Sequence, residues 1–189
     1  MPSERSSSAL VKVDLGDVTR HNINLLKKIN EVVLPVIYNL QFYKAVLEYG
    51  EFSKLAYYND IVVGAVCCRV QVTSGQPASR KLYIMTLGCL HPYRRRGIGS
   101  KMLRHVLDTV EKEGHFDAIT LHVQVNNEGA LEFYKKFGFH IVGTKEQYYK
   151  RIEPADAHVL EKQLNKERPL NGNREEVQEN DNTHNKCEE

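Results

Sequence analysis

Apolar and polar positions follow two rhythms along this chain, and the change from one to the other marks its elements. Residues 10–15 alternate and read as a first strand. Ile23, Leu26, Ile29 and Val33 then recur at helical spacing, with Asp17 or Thr19 placed to cap the helix. Pro35 interrupts it and makes residues 34–39 a stiff apolar loop. Asn39 caps a short second helix through Phe42, Tyr43, Val46 and Leu47 that stops near Gly50. Two strands, 54–58 and 61–72, flank Asn59-Asp60, the residue types that a two-residue hairpin turn wants. Residues 73–79 read as a loop, and the apolar run Leu82-Tyr83-Ile84-Met85-Thr86-Leu87 as a buried strand continuing to about residue 90. Beyond it Ile98, Met102, Leu103, Val106, Leu107 and Val110 mark a helix that ends at Gly114.

The second half predicts another apolar strand over 119–125 and a helix carrying Ala130, Leu131, Tyr134 and Phe137, turned in by Asn126-Asn127 and stopped by Gly138. Residues 139–142 and 148–152 read as closing strands in a hairpin, and Pro154 as the start of a last short helix through Val159, Leu160 and Leu164. A helix crossover between the strands at 82–90 and 119–125 most simply joins parallel, right-handed neighbours, so the class is α/β with a mixed sheet. A cofactor held at the intervening loop would lie at the C-terminal ends of those two strands. Residues 1–9 are Ser-rich and polar, and beyond about 166 apolar residues nearly vanish. The expected organisation is a flexible N-terminus over 1–9, one domain over 10–165 and a disordered tail over 166–189.

Charge narrows the options. Lys and Arg number 26 against 24 Asp and Glu, a net +2, so no broad nucleic-acid footprint exists and the basic cluster at 94–96 stands out. Cys67, Cys68, Cys89 and Cys187 show neither metal-ligand spacing nor a disulfide framework. Cys67 and Cys68 adjoin in a strand, so their side chains should face opposite ways, buried and reduced. No apolar run reaches membrane-spanning length and the N-terminus lacks a signal-peptide core, so the expectation is a soluble protein with no membrane contact.

The chemistry concentrates in Tyr93-Arg94-Arg95-Arg96-Gly97-Ile98-Gly99-Ser100, between the central strand and its helix. Such a turn aims backbone N–H groups and the positive end of a helix dipole at one anion. Gly97 and Gly99 let a bulky phosphate approach, and Arg94, Arg95 and Arg96 surround it with charge. The parts fit a pyrophosphate. A Walker loop would need Gly-Lys-Ser/Thr and a dinucleotide fingerprint three glycines in a βαβ unit, and neither is present.

The stretch resembles the Arg/Gln-x-x-Gly-x-Gly/Ala motif of the GNAT acetyltransferases, through Arg94, Gly97 and Gly99. Asn126-Asn127-Glu128-Gly129-Ala130-Leu131-Glu132-Phe133-Tyr134-Lys135-Lys136-Phe137-Gly138-Phe139 resembles that family's second hallmark, Asn-x-x-Ala-x-x-x-Tyr-x-x-x-Gly-Phe. From about Val11 to Leu164 the chain is similar to one branch, the catalytic subunits of the NatE protein N-terminal acetyltransferases, the separation anxiety type. The segments that carry this are Leu-Gly-Asp-Val-Thr at 15–19, Ile-Val-Val-Gly-Ala-Val-Cys-Cys-Arg at 61–69, Leu-Tyr-Ile-Met-Thr-Leu-Gly-Cys-Leu at 82–90 and Tyr-Tyr-Lys-Arg-Ile-Glu-Pro-Ala-Asp-Ala-His-Val-Leu at 148–160.

The resemblance implies the GNAT acyl-CoA acyltransferase fold, a mostly antiparallel mixed sheet with a central parallel strand pair and flanking helices. It implies direct acetyl transfer from acetyl-CoA, without a metal, to the α-amine of proteins that start with Met and a hydrophobic residue such as Leu. The amine must be neutral to attack, and with a pKa of about 8 it needs only a modest base. The family positions for that base are Tyr83 and His122. Backbone N–H groups near 86–88 are the expected donors to the developing oxyanion. The cofactor set is Leu87, Arg94, Arg95, Arg96, Gly97, Ile98, Gly99, Ser100, Asn126 and Tyr134, the tyrosine reaching the CoA sulfur and protonating the leaving thiolate. The peptide slot comprises Leu34, Pro35, Val36, Tyr38, Met85, Tyr148, Tyr149 and Ile152. Expected partners are protein N-termini, the NatA acetyltransferase complex and the ribosome, in the cytoplasm with the nucleus as a second compartment.

Four residues depart from the family pattern. Leu34 replaces Phe before Pro-Val, Ile37 a small residue, Thr120 a common aromatic and Arg96 a typical Leu. They predict a wider methionine pocket, looser packing near His122 and a more basic cradle. Taken on their own residues, His122 reads equally as a strand histidine, Tyr83 as a core tyrosine and Asn126 as a helix cap. Two rival functions stay open at this point: acetylation of lysine side chains, whose amine has a pKa near about 10.4 and needs a stronger base, and a CoA-binding, non-catalytic subunit of a larger complex.

Overall fold

The computed structural model describes residues 12–74 and 78–164, so the N-terminus expected over 1–9, the tail over 166–189 and Cys187 lie outside it. The elements are β1 (Val13–Asp17), α1 (Ile23–Val33), α2 (Leu40–Glu48), β2 (Lys54–Tyr58), β3 (Ile61–Thr73), β4 (Ser79–Cys89), α3 (Ile98–Glu113), β5 (Ala118–Gln124), α4 (Glu128–Lys136), β6 (His140–Lys145) and β7 (Ala157–Gln163). The strands form one sheet in the order β1-β2-β3-β4-β5-β7-β6. Every neighbouring pair is antiparallel except β4 and β5, the pair joined through α3.

Local chemistry sets several boundaries. The Asn39 side chain accepts the Phe42 amide and opens α2, while Asn127 accepts the Ala130 amide and opens α4. Asn59 and Asp60 both have positive φ, at 47° and 68°, which turns β2 into β3 with the twist the hairpin needs. The cap of α1 differs from expectation. Asn22 holds the turn by accepting from the Thr19 amide and donating to the Asp17 carbonyl, while Asp17 pairs with Lys54 on β2.

The closing region corrects the sequence reading twice. Residues 148–152 form no strand, and 157–163 form β7 instead of a helix. Ala, Leu, Glu, Lys and Gln favour a helix there, but β7 pairs along all of β5 and fills the sheet between β5 and β6. That pairing overrides propensity.

Two apolar layers cover the sheet. On one face α3 and α4 bury Met102, Leu103, Val106 and Tyr134 against Val66, Cys68, Leu82, Ile84 and Leu121. On the other, α1 and α2 bury Leu26, Ile29, Phe42 and Val46 against Leu55, Ala65 and Cys67. Cys67 and Cys68 thus face opposite layers, both free thiols. Each fully buried aliphatic side chain contributes about 1.5–3 kcal/mol.

A bulge in β4 positions the site. Cys67 pairs with Thr86 and Cys68 with Ile84, so Met85 is an extra residue. Leu82 and Ile84 face the α3 layer, and the inserted residue brings Leu87 and Cys89 back to that layer while Met85 packs into the α1–α2 layer.

Candidate active site

The parallel ladder between β4 and β5 joins Lys81 to Ala118, Leu82 to Ile119 and Tyr83 to Thr120, and ends there. Residues 84–89 and 121–124 run on, and among the described residues no strand pairs them to each other. A cleft therefore opens at Tyr83, with backbone polar groups of both strands along its sides. Residues 86–88, the expected oxyanion donors, lie on its β4 side. Unpaired edges of this kind bind amide-bearing ligands by main-chain hydrogen bonds.

At the cleft's apex three side chains meet. The Tyr83 hydroxyl lies 3.0 Å from His122 Nδ1 and 3.0 Å from the Tyr148 hydroxyl. The His122 ring stacks on Tyr148, centroids 4.3 Å apart and planes within 4°, and meets Tyr83 edge-on. Tyr83 and His122 share one sheet face because Leu82, Ile84, Ile119 and Leu121 occupy the other. Burial, then Lys145 and then Arg69, depress the His122 pKa to about 4, so its imidazole is neutral at physiological pH. Thr120, beside it, is buried and paired in register with Tyr83 and Glu161.

Tyr148 is set by a laced loop, not by a strand. Tyr149 N–H donates to the Ala155 carbonyl, Gln147 N–H to Asp156, and Val125 N–H and the Gln124 amide to the carbonyls of Asp156 and Pro154. The loop is thereby tied to the end of β5 that carries His122. Tyr149 packs edge-on against Tyr148 at 4.9 Å, and Ile152 is half-buried in the same loop.

The remaining slot residues lie between α1 and α2. Leu34 ends α1 in extended conformation and rests over Gly88 of β4, where a Cβ would come within 2.5 Å of Val33. Tyr38 stacks on Phe42 at 4.2 Å, and both Tyr38 and Met85 pack against the core of the α1–α2 layer. Val36 and Tyr38 line a cavity of about 310 Å³ with Lys27, Asn30 and Tyr43. Pro35 is exposed, and Ile37 is 66% exposed, so the latter's extra bulk points outward.

The arginine loop is built differently. Gly97 caps α3 with φ +79°, a conformation that favours glycine, and no side chain caps the helix. The first-turn amides of Ile98, Gly99 and Ser100 therefore face outward from the helix end. Ile98 itself is buried, so only its backbone can serve a ligand. Gly99 sits where a Cβ would touch Phe133 and Leu87, which places Leu87 beside the loop. Arg94 Nε donates to the Cys89 carbonyl at 3.2 Å, and Arg95 is exposed with φ +62°. Arg96 donates to the Tyr58 hydroxyl at 3.0 Å and lies over that ring, so its charge is engaged on β2. Of the α4 residues, Tyr134 is buried and its phenol is pushed well up by burial, hence protonated and able to donate. Asn126 is exposed, and Asn127 does the capping.

These features suit a CoA pyrophosphate at the helix end and a pantetheine arm in the cleft. Among the described residues no cluster of His, Cys, Asp and Glu could hold a metal, and no helix is long and apolar enough to cross a membrane. The buried thiols are poor nucleophiles, Cys67 being pushed up to about 12 by burial. Sequence reasoning passed over Arg69 and Lys145, which flank the aromatic cluster. The one signal was an arginine closing the otherwise apolar run at 61–69.

A family model described as the Acetyltransferase (GNAT) family matches residues 23–139. The chain is 68% identical over 157 residues to a Drosophila melanogaster protein named probable N-acetyltransferase san, spanning 83% of this chain and 84% of that one. It is 65% identical over 153 residues to N-alpha-acetyltransferase 50 of Danio rerio, with 81% and 89% covered. Arabidopsis thaliana Naa50, solved in complex with the bisubstrate analogue CoA-Ac-MVNAL, superposes with a TM-score of 0.75 at 49% identity, over 80% of this chain and 99% of that one.

Proposed function

The chain belongs to the acetyltransferase (GNAT) family, in its N-alpha-acetyltransferase 50 branch, and we propose that it acetylates proteins beginning with Met and a hydrophobic residue, by direct transfer with both substrates bound together. It is an N-terminal acetyltransferase that uses acetyl-CoA. The finer reading rests chiefly on one observation. The relative from Arabidopsis thaliana was solved with an analogue whose peptide part reads MVNAL, and in this chain Met85 lies two residues after Tyr83 on β4 and packs into the layer that also holds Tyr38. In this reading Tyr38 and Met85, from one core layer, and Val36, which lines the neighbouring cavity, supply the apolar surface, while Tyr148 and Tyr149 supply hydroxyls that can orient peptide backbone.

Acetyl-CoA supplies an activated thioester carbonyl, and this chain's residues do the rest. The α3 N-terminus with Arg94 and Arg95 holds the pyrophosphate. The amine enters on the face that carries Tyr83 and His122 and loses its proton to that pair. Neutral His122 can accept a hydrogen bond from the Tyr83 hydroxyl at Nδ1, which orients the hydroxyl's lone pairs toward the amine. Tyr134, kept protonated by burial, can return a proton to the departing sulfur. Association with the NatA complex and the ribosome, and residence in the cytoplasm with the nucleus as a second compartment, extend this reading and rest on sequence resemblance.

Turnover of acetyl-CoA on a Met-Leu-starting peptide, with its N-terminally blocked twin alongside, tests the proposal. Acetylation of the free α-amine alone is the expected result. Equal rates on the blocked peptide would move the activity to lysine, and CoA binding without turnover on either would leave a non-catalytic subunit.

A further inference from the structure

Two cations close the ends of the aromatic cluster. Arg69 pairs with Tyr83 in the β3–β4 register and holds its guanidinium carbon 5.2 Å from the centre of that ring. Lys145, the last residue of β6, holds its ammonium 5.5 Å from the Tyr148 ring centre. Between them run the two 3.0 Å hydroxyl contacts of Tyr83 and the flat stack of His122 on Tyr148. Arg69 is half-buried, and a long charged side chain held out of water is ordinarily paired. Among the described residues Arg69 forms no ion pair, and its buried Nε has no hydrogen-bond partner. A buried donor without a protein partner is satisfied by water or marks strain or function.

Among the described residues neither Arg69 nor Lys145 forms an ion pair. From β4 His122 faces Tyr83, from β3 Arg69, from β6 Lys145, and from the following loop Tyr148 with Tyr149 behind it. From β7 it meets Val159 in register, and the carboxylate on that face, Glu161, pairs with Thr120 and is held by Lys81 at 2.7 Å. His158 on β7 is engaged by Thr144.

We propose that Arg69 and Lys145 are positioning residues of the reaction, whose fixed positive charge makes the Tyr83–His122–Tyr148 cluster reject further positive charge, so that the substrate amine is held there as the neutral, nucleophilic form. An α-ammonium entering this field breaks one N–H bond. The nitrogen keeps the electron pair, and the proton leaves through the Tyr83 and His122 hydrogen bonds to solvent water. Burial is the largest cause of the depressed His122 pKa, and Lys145 and then Arg69 lower it further, since both charges disfavour an imidazolium as they would an ammonium. Deprotonation then depends on where the amine is placed as well as on the strength of the base. The role rests on the acetyltransferase reading, whereas the effect of the two charges on His122 does not.

The test follows His122 by NMR in the full chain as pH falls, and kcat against pH on a Met-Leu-starting peptide. The variants are Lys145→Gln, Arg69→Met, Arg69→Lys and the double Lys145→Gln/Arg69→Met. Lys145 is exposed, so its variant probes charge without disturbing the core. The expected result is an upward shift of the His122 titration in both single neutral variants, largest in the double and reversed in Arg69→Lys. The acid limb of kcat should move to higher pH in the same order, because kcat reports the bound amine. An unmoved titration in folded Lys145→Gln would overturn the charge effect, and a moved titration with an unmoved kcat limb would overturn its role in the reaction. Wild-type enzyme inert on all peptides would instead remove the acetyltransferase reading, with the titration still deciding whether the two charges act on the cluster.

Discussion

The arginine loop and the Tyr83–His122–Tyr148 cluster serve one cleft by opposite means. The loop is a single run of chain that offers backbone amides and exposed charge, with two left-handed residues, Arg95 and Gly97, setting its shape. The cluster draws side chains from β4, β5 and the loop before β7, each held by hydrogen bonds or stacking to another. A diphosphate presents diffuse charge to any donor array of the right curvature, so main chain suffices. Handling an amine proton requires particular atoms at particular distances, so side chains on rigid elements are needed.

The largest effect should come from Tyr83→Phe, which removes both contacts at the hub of the cluster. Turnover is expected to fall about a hundredfold or more, the usual worth of a general base, with acetyl-CoA affinity by calorimetry within about twofold of wild type. A matching loss of cofactor affinity would break the division of labour. Next comes Gly97→Ala, which forces a left-handed φ on an alanine at roughly 1–2 kcal/mol. About tenfold weaker acetyl-CoA binding should result, with kcat at saturation near wild type. The smallest change belongs to Arg96→Leu. Its guanidinium already serves Tyr58, so cofactor affinity should alter less than about threefold, in keeping with an exposed polar contact. A larger loss would put Arg96 among the phosphate ligands after all.

This contrast also explains what could be read from the residues. The loop was legible because its signals are contiguous, as were the Asn59-Asp60 turn and the Asn39 cap. The cluster was not. Tyr83 and His122 emerged only through family resemblance, and Tyr148 was assigned to the peptide slot with no sign that its hydroxyl reaches Tyr83. Two local ambiguities hid the arrangement. The composition of 157–163 favours a helix, which concealed the strand that completes the sheet beside His122. Simple alternation from Leu82 would also send Leu87 and Cys89 to the wrong face, because only pairing with β3 reveals that Met85 is bulged. Arg69 and Lys145 belong to different strands and acquire meaning only when both reach the same aromatic stack.

The short ladder between β4 and β5 carries a mechanical consequence. Among the described residues, the ladder from Lys81 to Tyr83 and the Asp117 N–H donating to the Arg80 carbonyl are what stitch the antiparallel block β1–β4 to the block β5, β7 and β6 by main-chain bonds. The sheet is thus two rigid plates with a fault line between them, and that line runs through the place where chemistry occurs. A ligand whose amides bridge both plates would brace the fault, raising the melting temperature with concentration and slowing hydrogen exchange along residues 84–89 and 121–124. Cofactor occupancy and the rigidity of the fold are, in this protein, two readings of one equilibrium.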